Sequence, residues 1–156
     1  MTDFQVAPQT AQPFAFVRLT SRIAEMKSAV PAAIGEVMAA FARAGVAPAG
    51  PPMAHYLSYD NESTTFEIGF PAAKADLAVL GAAGLGIGET CGGLAMVGTH
   101  VGPYEDAPQT YDAMIVQMQA EGYTPAIDMW EGYESPPETP PAEIRTNIVW
   151  PVTGGH

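Results

Sequence analysis

The chain has 156 residues, with 17 Asp plus Glu against 6 Lys plus Arg and a formal net charge of −11. That excess repels polyphosphate backbones and anionic bilayers, which excludes sequence-independent nucleic-acid binding and membrane adhesion as first readings. Cationic ligands stay permitted, and solubility alone accounts for a net charge of this sign. An apolar fraction of 47% is enough for one folded domain over residues 1–156 and argues against disorder. Cys91 is the only cysteine, so no disulfide forms within the chain, which suits a reducing compartment. Met1-Thr2-Asp3-Phe4 offers neither a basic segment nor a long apolar run, so no signal peptide is expected. The low-charge stretch Leu77–Val101 is broken by glycines, which a membrane helix would not carry at that density. The expectation is a soluble cytoplasmic protein.

In chain order, Phe14–Leu19 is rich in β-formers and reads as a strand, with Phe4–Ala7 either beginning it or forming a short arm. A helix follows, opened by Pro31 at a first-turn position where its missing N–H costs nothing. Ile34, Val37, Met38 and Phe41 recur at helical spacing and share one face, and Gly45 closes the helix. After the proline-rich loop Pro48–Pro52 come two strands, Met53–Tyr59 and Thr64–Phe70, joined by the turn set Asp60-Asn61-Glu62-Ser63. Leu77–Gly93 is rich in Gly and Ala. Its alternating Gly84, Gly86 and Gly88 match neither GxGxxG after a strand nor GxxxxGK[ST], so the stretch reads as a flexible connection.

The second half repeats the first. Leu94–Val101 is a strand, and Ala107–Glu121 is a helix with Tyr111, Met114, Ile115 and Met118 on one face and Gly122 at its end. These positions follow Ile34, Val37, Met38, Phe41 and Gly45 at one constant offset, which also carries Pro48 onto Pro125 and Tyr56 onto Tyr133. At a slightly longer offset Ile68-Gly69-Phe70-Pro71-Ala72 matches Ile148-Val149-Trp150-Pro151-Val152, the extra residues falling in the Ser135–Glu143 loop. The expected fold is α+β: tandem duplicated βαββ repeats with antiparallel sheets, two long helices and a central ligand groove between the halves. Repeat one covers about residues 4–72, a linker about 73–92, and repeat two about 93–152.

The chemistry concentrates in Ile127-Asp128-Met129-Trp130-Glu131-Gly132-Tyr133. Strand alternation puts Ile127, Met129, Glu131 and Tyr133 on one face. A carboxylate among apolar groups must be paired, neutralised or partly wet. Such a carboxylate with aromatic walls suits an organic cation, and with a raised pKa it suits general acid–base work. The alternative is a solvent-facing or Arg-paired Glu131. Trp130 falls on the opposite face and is expected under a helix, unless a twist at the strand end turns it inward. Gly102-Pro103 is a rigid turn that presents Tyr104, as a ligand wall or as a packed corner. Tyr56 and Tyr133, equivalent in the repeat, line the groove or pair in the core. Met129, with Met53 and Met96, lies in a predicted strand, where methionine fills a core or adapts to apolar ligands. His55, His100 and His156 are far apart with no HxxxH or Cys pair, so no metal is expected. Cys91 lacks a neighbouring base in sequence, and GxSxG is absent.

Taken together, these elements resemble the GyrI-like small-molecule-binding domain, also called the AraC-type or bacterial transcription activator effector-binding domain. The resemblance runs through Pro31, Gly45, Gly50-Pro51-Pro52, Glu67-Ile68-Gly69-Phe70-Pro71, Gly92-Gly93-Leu94-Ala95, His100-Val101-Gly102-Pro103-Tyr104-Glu105, Tyr111, Trp130-Glu131-Gly132-Tyr133 and Thr146–Val152. It implies a tandem βαββ fold, also described as SOUL-like, with Glu131 in the groove. It further implies one of two chemistries: multidrug sensing of lipophilic cations, or hydrolysis of cyclopropane-containing alkylators by stand-alone members. Regulator members add a helix-turn-helix, for which this chain has no room. The family's namesake protects DNA gyrase. The Pro- and Glu-rich stretch Glu134–Glu143 departs from the family pattern and would remodel the groove rim.

The leading expectation is therefore a stand-alone binding protein for apolar organic molecules, cationic ones included, using Glu131, Tyr104, Tyr133, Tyr56 and Met129 and no cofactor. A hydrolase of cyclopropane electrophiles with Glu131 as its catalytic group is the second reading. A gyrase- or regulator-interacting protein is the third, with no direct nucleic-acid contact.

Overall fold

In a computed structural model the residues described are 4–60, 62–135 and 138–154, without the side chains of Lys27, Tyr59 and Glu105. Asn61 of the expected turn, Pro136-Pro137 of the rim loop and His156 therefore lie outside the described residues, as does the side chain of Glu105.

The strands are β1 (Gln5–Gln9), β2 (Pro13–Arg22), β3 (Met53–Tyr59), β4 (Ser63–Pro71), β5 (Gly86–Glu89), β6 (Gly93–Val101), β7 (Tyr123–Pro125), β8 (Met129–Tyr133) and β9 (Arg145–Gly154). The helices are α1 (Met26–Ala44), α2 (Leu77–Ala82) and α3 (Ala107–Glu121). The chain divides into two compact units, one of Thr10–Thr90 and one of Met1–Gln9 with Cys91–His156.

Each unit has the same antiparallel order. In the unit of Thr10–Thr90 it is β5-β2-β4-β3, and in the other it is β1-β6-β9-β8, with β7 also on β9. The fold is α+β, and the duplication read from sequence appears as matched strand pairing: Ala54 lies opposite Ile68 as Glu131 lies opposite Ile148. Each repeat also has an edge strand beyond the strand–helix–strand–strand pattern. Phe4–Ala7 is an arm whose strand pairs with β6 and does not begin β2. The stretch expected to be a flexible connection folds as α2 and β5.

The alternating glycines there serve packing. A Cβ on Gly86 would meet the Phe16 ring at 2.6 Å, and one on Gly88 would meet it at 3.3 Å, so the strand leaves room for an aromatic ring. Gly98 does the same for Phe4, whose ring lies 2.3 Å from the position of an added Cβ.

In the unit of Thr10–Thr90, α1 and α2 cover the face of β2 and β4 that carries Ala15 and Phe70, burying these with Val37, Ala40, Phe41, Leu80 and Leu85. The expected α1 face is only partly right. Val37 and Phe41 are fully buried, while Met38 is 54% exposed and Ala33 and Ala40 take its place. The helix also begins earlier than Pro31, which sits inside it. A short 3-10 turn, Ile23–Glu25, leads into α1, so the helix is under way before the proline is reached. The first-turn proline belongs to α3, where Pro108 occupies that place. Gly45 (φ 71°) and Gly122 (φ 82°) close α1 and α3 in the left-handed conformation, as glycine allows.

In the other unit α3 buries Met114 and Met118 against the sheet face carrying Met96, Ile148 and Trp150. No described helix is long and apolar enough to cross a membrane.

Candidate small-molecule site around Glu131

β8 alternates as a strand must, with Met129, Glu131 and Tyr133 on one side and Trp130 on the other. Ile127, expected on the Glu131 face, is not in the strand at all. Its chain is still leaving β7, where Ala126 N–H donates to Pro151 O, and its side chain is 80% exposed. Glu131 itself is 5% exposed. Its Oε2 accepts a hydrogen bond from the Tyr111 hydroxyl on α3, and its Oε1 accepts one from Tyr133 at 2.9 Å. The carboxylate thus lies on the helix side of the sheet. Trp130, expected under a helix, is instead on the side away from α3, and it is buried at 3% exposure.

Aromatic rings extend this set in two directions. Tyr104 meets Tyr133 edge-on at 6.0 Å and Tyr111 meets Trp150 edge-on at 6.1 Å, both near-perpendicular. The Trp150 indole N–H donates to Ala126 O at 2.9 Å, which fixes that ring. Burial, and then the charge of Glu131, push the Tyr104 phenol above its ordinary value, so its hydroxyl stays protonated. Tyr104 is half exposed and stands on the Gly102-Pro103 corner. Gly102 has φ 128° and donates its N–H to Ile144 O at 2.8 Å. Buried His100 secures the same corner, its Nε2–H donating to Pro103 O at 2.9 Å and its Nδ1 bonding the Thr110 hydroxyl of α3 at 2.7 Å.

Of the residues singled out from sequence, Glu131, Tyr133, Tyr104 and Met129 belong to one unit. Tyr56 belongs to the other, with its ring 5.5 Å from that of Phe66. The sequence places Tyr111 on the α3 face and in the family motif but not beside the carboxylate. The signal for it was the repeat: Tyr111 is the polar member of a stripe whose partner position is Ile34. The sequence pattern does not single out a second buried carboxylate, Glu67. Glu67 accepts two bonds from Arg18, at 2.6 and 3.2 Å, and bonds His55 Nδ1 at 3.1 Å, on the sheet side away from α1. Burial and the charge of Asp128 raise the Cys91 thiol, which disfavours a thiolate. Among the described residues no group of three or more His, Cys, Asp or Glu could hold a metal ion.

The GyrI-like small molecule binding domain family matches residues 2–153. The chain belongs to that family. This GyrI-like domain shares its fold with a hydrolase from Listeria innocua at TM-score 0.70 and 17% identity, over 97% of this chain and 91% of that one. The EcmrR C-terminal domain matches at TM-score 0.68 and 17% identity, over 99% and 98%. SAV2435, solved with tetraphenylphosphonium, matches at TM-score 0.63 and 13% identity, over 97% and 94%. A comparison with curated proteins finds no match.

Proposed function

We propose that this GyrI-like domain binds small organic molecules that join apolar surface to positive charge, with Glu131 meeting the charge. One observation carries the reading. Where one unit has Glu131, Tyr111, Thr146 and His100 on its helix side, the other has Ala54, Ile34, Phe66 and Leu19 at the matching positions. The framework therefore packs well with apolar residues, and the polar set is not required to fold it. Burying a carboxylate costs solvation that its partners seldom repay in full, so its presence at this helix-side position in one repeat, where the other repeat has Ala54 and buries Glu67 only on the opposite sheet face, favours a ligand role. Tyr104 and Tyr133 offer ring faces to a cation, and Met129 offers a polarisable wall. The tetraphenylphosphonium-bound neighbour supports this chemistry as one the shared fold accommodates.

Titration of the protein with tetraphenylphosphonium by calorimetry tests the proposal. Glu131→Gln is expected to weaken binding about tenfold, or ~1.4 kcal/mol. Unchanged affinity in a folded Glu131→Gln protein would sink the carboxylate role. A hydrolytic reading comes second. It is favoured by the two phenol hydroxyls on one buried carboxylate, a set suited to proton transfer, and by the hydrolase among the structural neighbours. Product analysis after incubation with a cyclopropane-bearing alkylator decides it, and absence of turnover removes it for that class.

A further inference from the structure

Thr146 is 1% exposed, and its hydroxyl has no hydrogen-bond partner among the described residues. It stands in β9 between Tyr133 of β8 and His100 of β6. Directly paired residues of antiparallel strands project to the same side, so Thr146 shares the helix side with both neighbours and with Glu131, two residues from Tyr133 along β8. Neither neighbour is the partner of the hydroxyl. The Tyr133 hydroxyl donates to Glu131, and both His100 ring nitrogens are engaged by Thr110 and Pro103. In the other unit the matching residue is Phe66, fully buried between Leu19 and Tyr56. An apolar side chain thus serves the fold there, and packing does not demand a hydroxyl. Valine, which has nearly the shape of threonine, would remove the desolvation cost of an orphaned hydroxyl. Buried polar groups in native proteins instead have partners, ordered water included.

We propose that Thr146 holds one ordered water molecule at the base of the Glu131 site, bridging its hydroxyl to the Glu131–Tyr133 pair. The Thr146 hydroxyl donates to the water, and the water donates to a carboxylate oxygen of Glu131, since each carboxylate oxygen accepts more than one hydrogen bond. Water fits better than a group on a ligand because the hydroxyl is out of contact with solvent. The inference deepens the ligand-binding reading, and only its consequence rests on that reading: an incoming cation meets a carboxylate already hydrogen-bonded by two phenols and a water. Thr146 is then a positioning residue.

High-resolution crystal structures of the unliganded wild type, Thr146→Val and Thr146→Ser test it, together with their melting temperatures. The expected result is a water within hydrogen-bond distance of Thr146 Oγ1 in the wild type and in Thr146→Ser. That water is absent from Thr146→Val, which melts below both. No density at Oγ1 together with a higher melting temperature for Thr146→Val overturns the proposal, and so does density for an organic molecule there. If Thr146→Val fails to fold, the wild-type and Thr146→Ser density decides alone. Failure of the Glu131→Gln binding experiment leaves these readouts untouched, so the two ideas fail separately.

Discussion

Tyr111→Phe removes a single oxygen, the one that donates to Glu131 Oε2, and keeps the ring that meets Trp150 edge-on at 6.1 Å. At 5% exposure Glu131 cannot freely recruit a replacement from solvent. A hydrogen bond to a charged acceptor contributes roughly 1.5–3 kcal/mol, so the loss is expected near 2 kcal/mol. In a domain of this size that lowers the melting temperature by about 4–8 °C. Glu131→Gln keeps the shape but replaces the charge-assisted bond with a neutral one worth about half as much. Tyr111→Phe in that background is therefore expected to cost ~1 kcal/mol, leaving a coupling of ~1 kcal/mol in the double-mutant cycle. Circular-dichroism melts and urea titrations of the four proteins measure it. If Tyr111→Phe melts within about 1 °C of the wild type and the coupling is zero, the hydroxyl is not bonded to a carboxylate and the reasoning about this site is wrong.

The Tyr104 phenol, raised first by burial and then by the charge of Glu131, is expected to ionise above 10.0 when followed by phenolate absorbance, and Glu131→Gln should lower it only in part. Because the folded-state value lies above the unfolded one, this contribution to stability is whole below the unfolded value and is lost as pH rises through the folded one. Tyr104→Phe should therefore flatten the alkaline limb of a stability profile, and an unchanged limb contradicts the assignment. Gly69→Ala would set a Cβ 1.9 Å from Ala15 O, backbone that cannot yield without breaking the β2–β4 ladder. A loss of about 4 kcal/mol or more by urea denaturation is expected, and a near-neutral result would refute that strand register.

Much of this was legible without coordinates. Helical spacing and a closing glycine located α3 residue for residue, because a helix is held by contacts within a few residues and its glycine cap depends only on φ. Strand alternation put Glu131 with Met129 and Tyr133 for the same local reason. The errors came where a neighbour distant in sequence decides the outcome. Met38 fits the apolar stripe of α1, yet it is exposed, and Ala40 is the residue that joins Val37 and Phe41 in the core with Ala15 and Phe70 of the β2–β4 sheet. Gly86 and Gly88 resemble a loop until the Phe16 ring is seen across them. Phe4–Ala7 fits the start of β2 or a short arm equally well from sequence, and only its pairing with the edge of β6 selects the arm.

The sequence by itself determined the duplicated framework, its two long helices and hairpins, and the strand face on which Glu131 falls. These follow from periodicity, caps and turn chemistry, all short-range properties. Tertiary structure decided what surrounds that carboxylate. Tyr111 reaches it from α3 because the helix docks on that side of the sheet, and Trp130 is left on the other side for the same reason. A hydrogen bond across the chain depends on the docking of whole elements, and no spacing along the sequence encodes that distance.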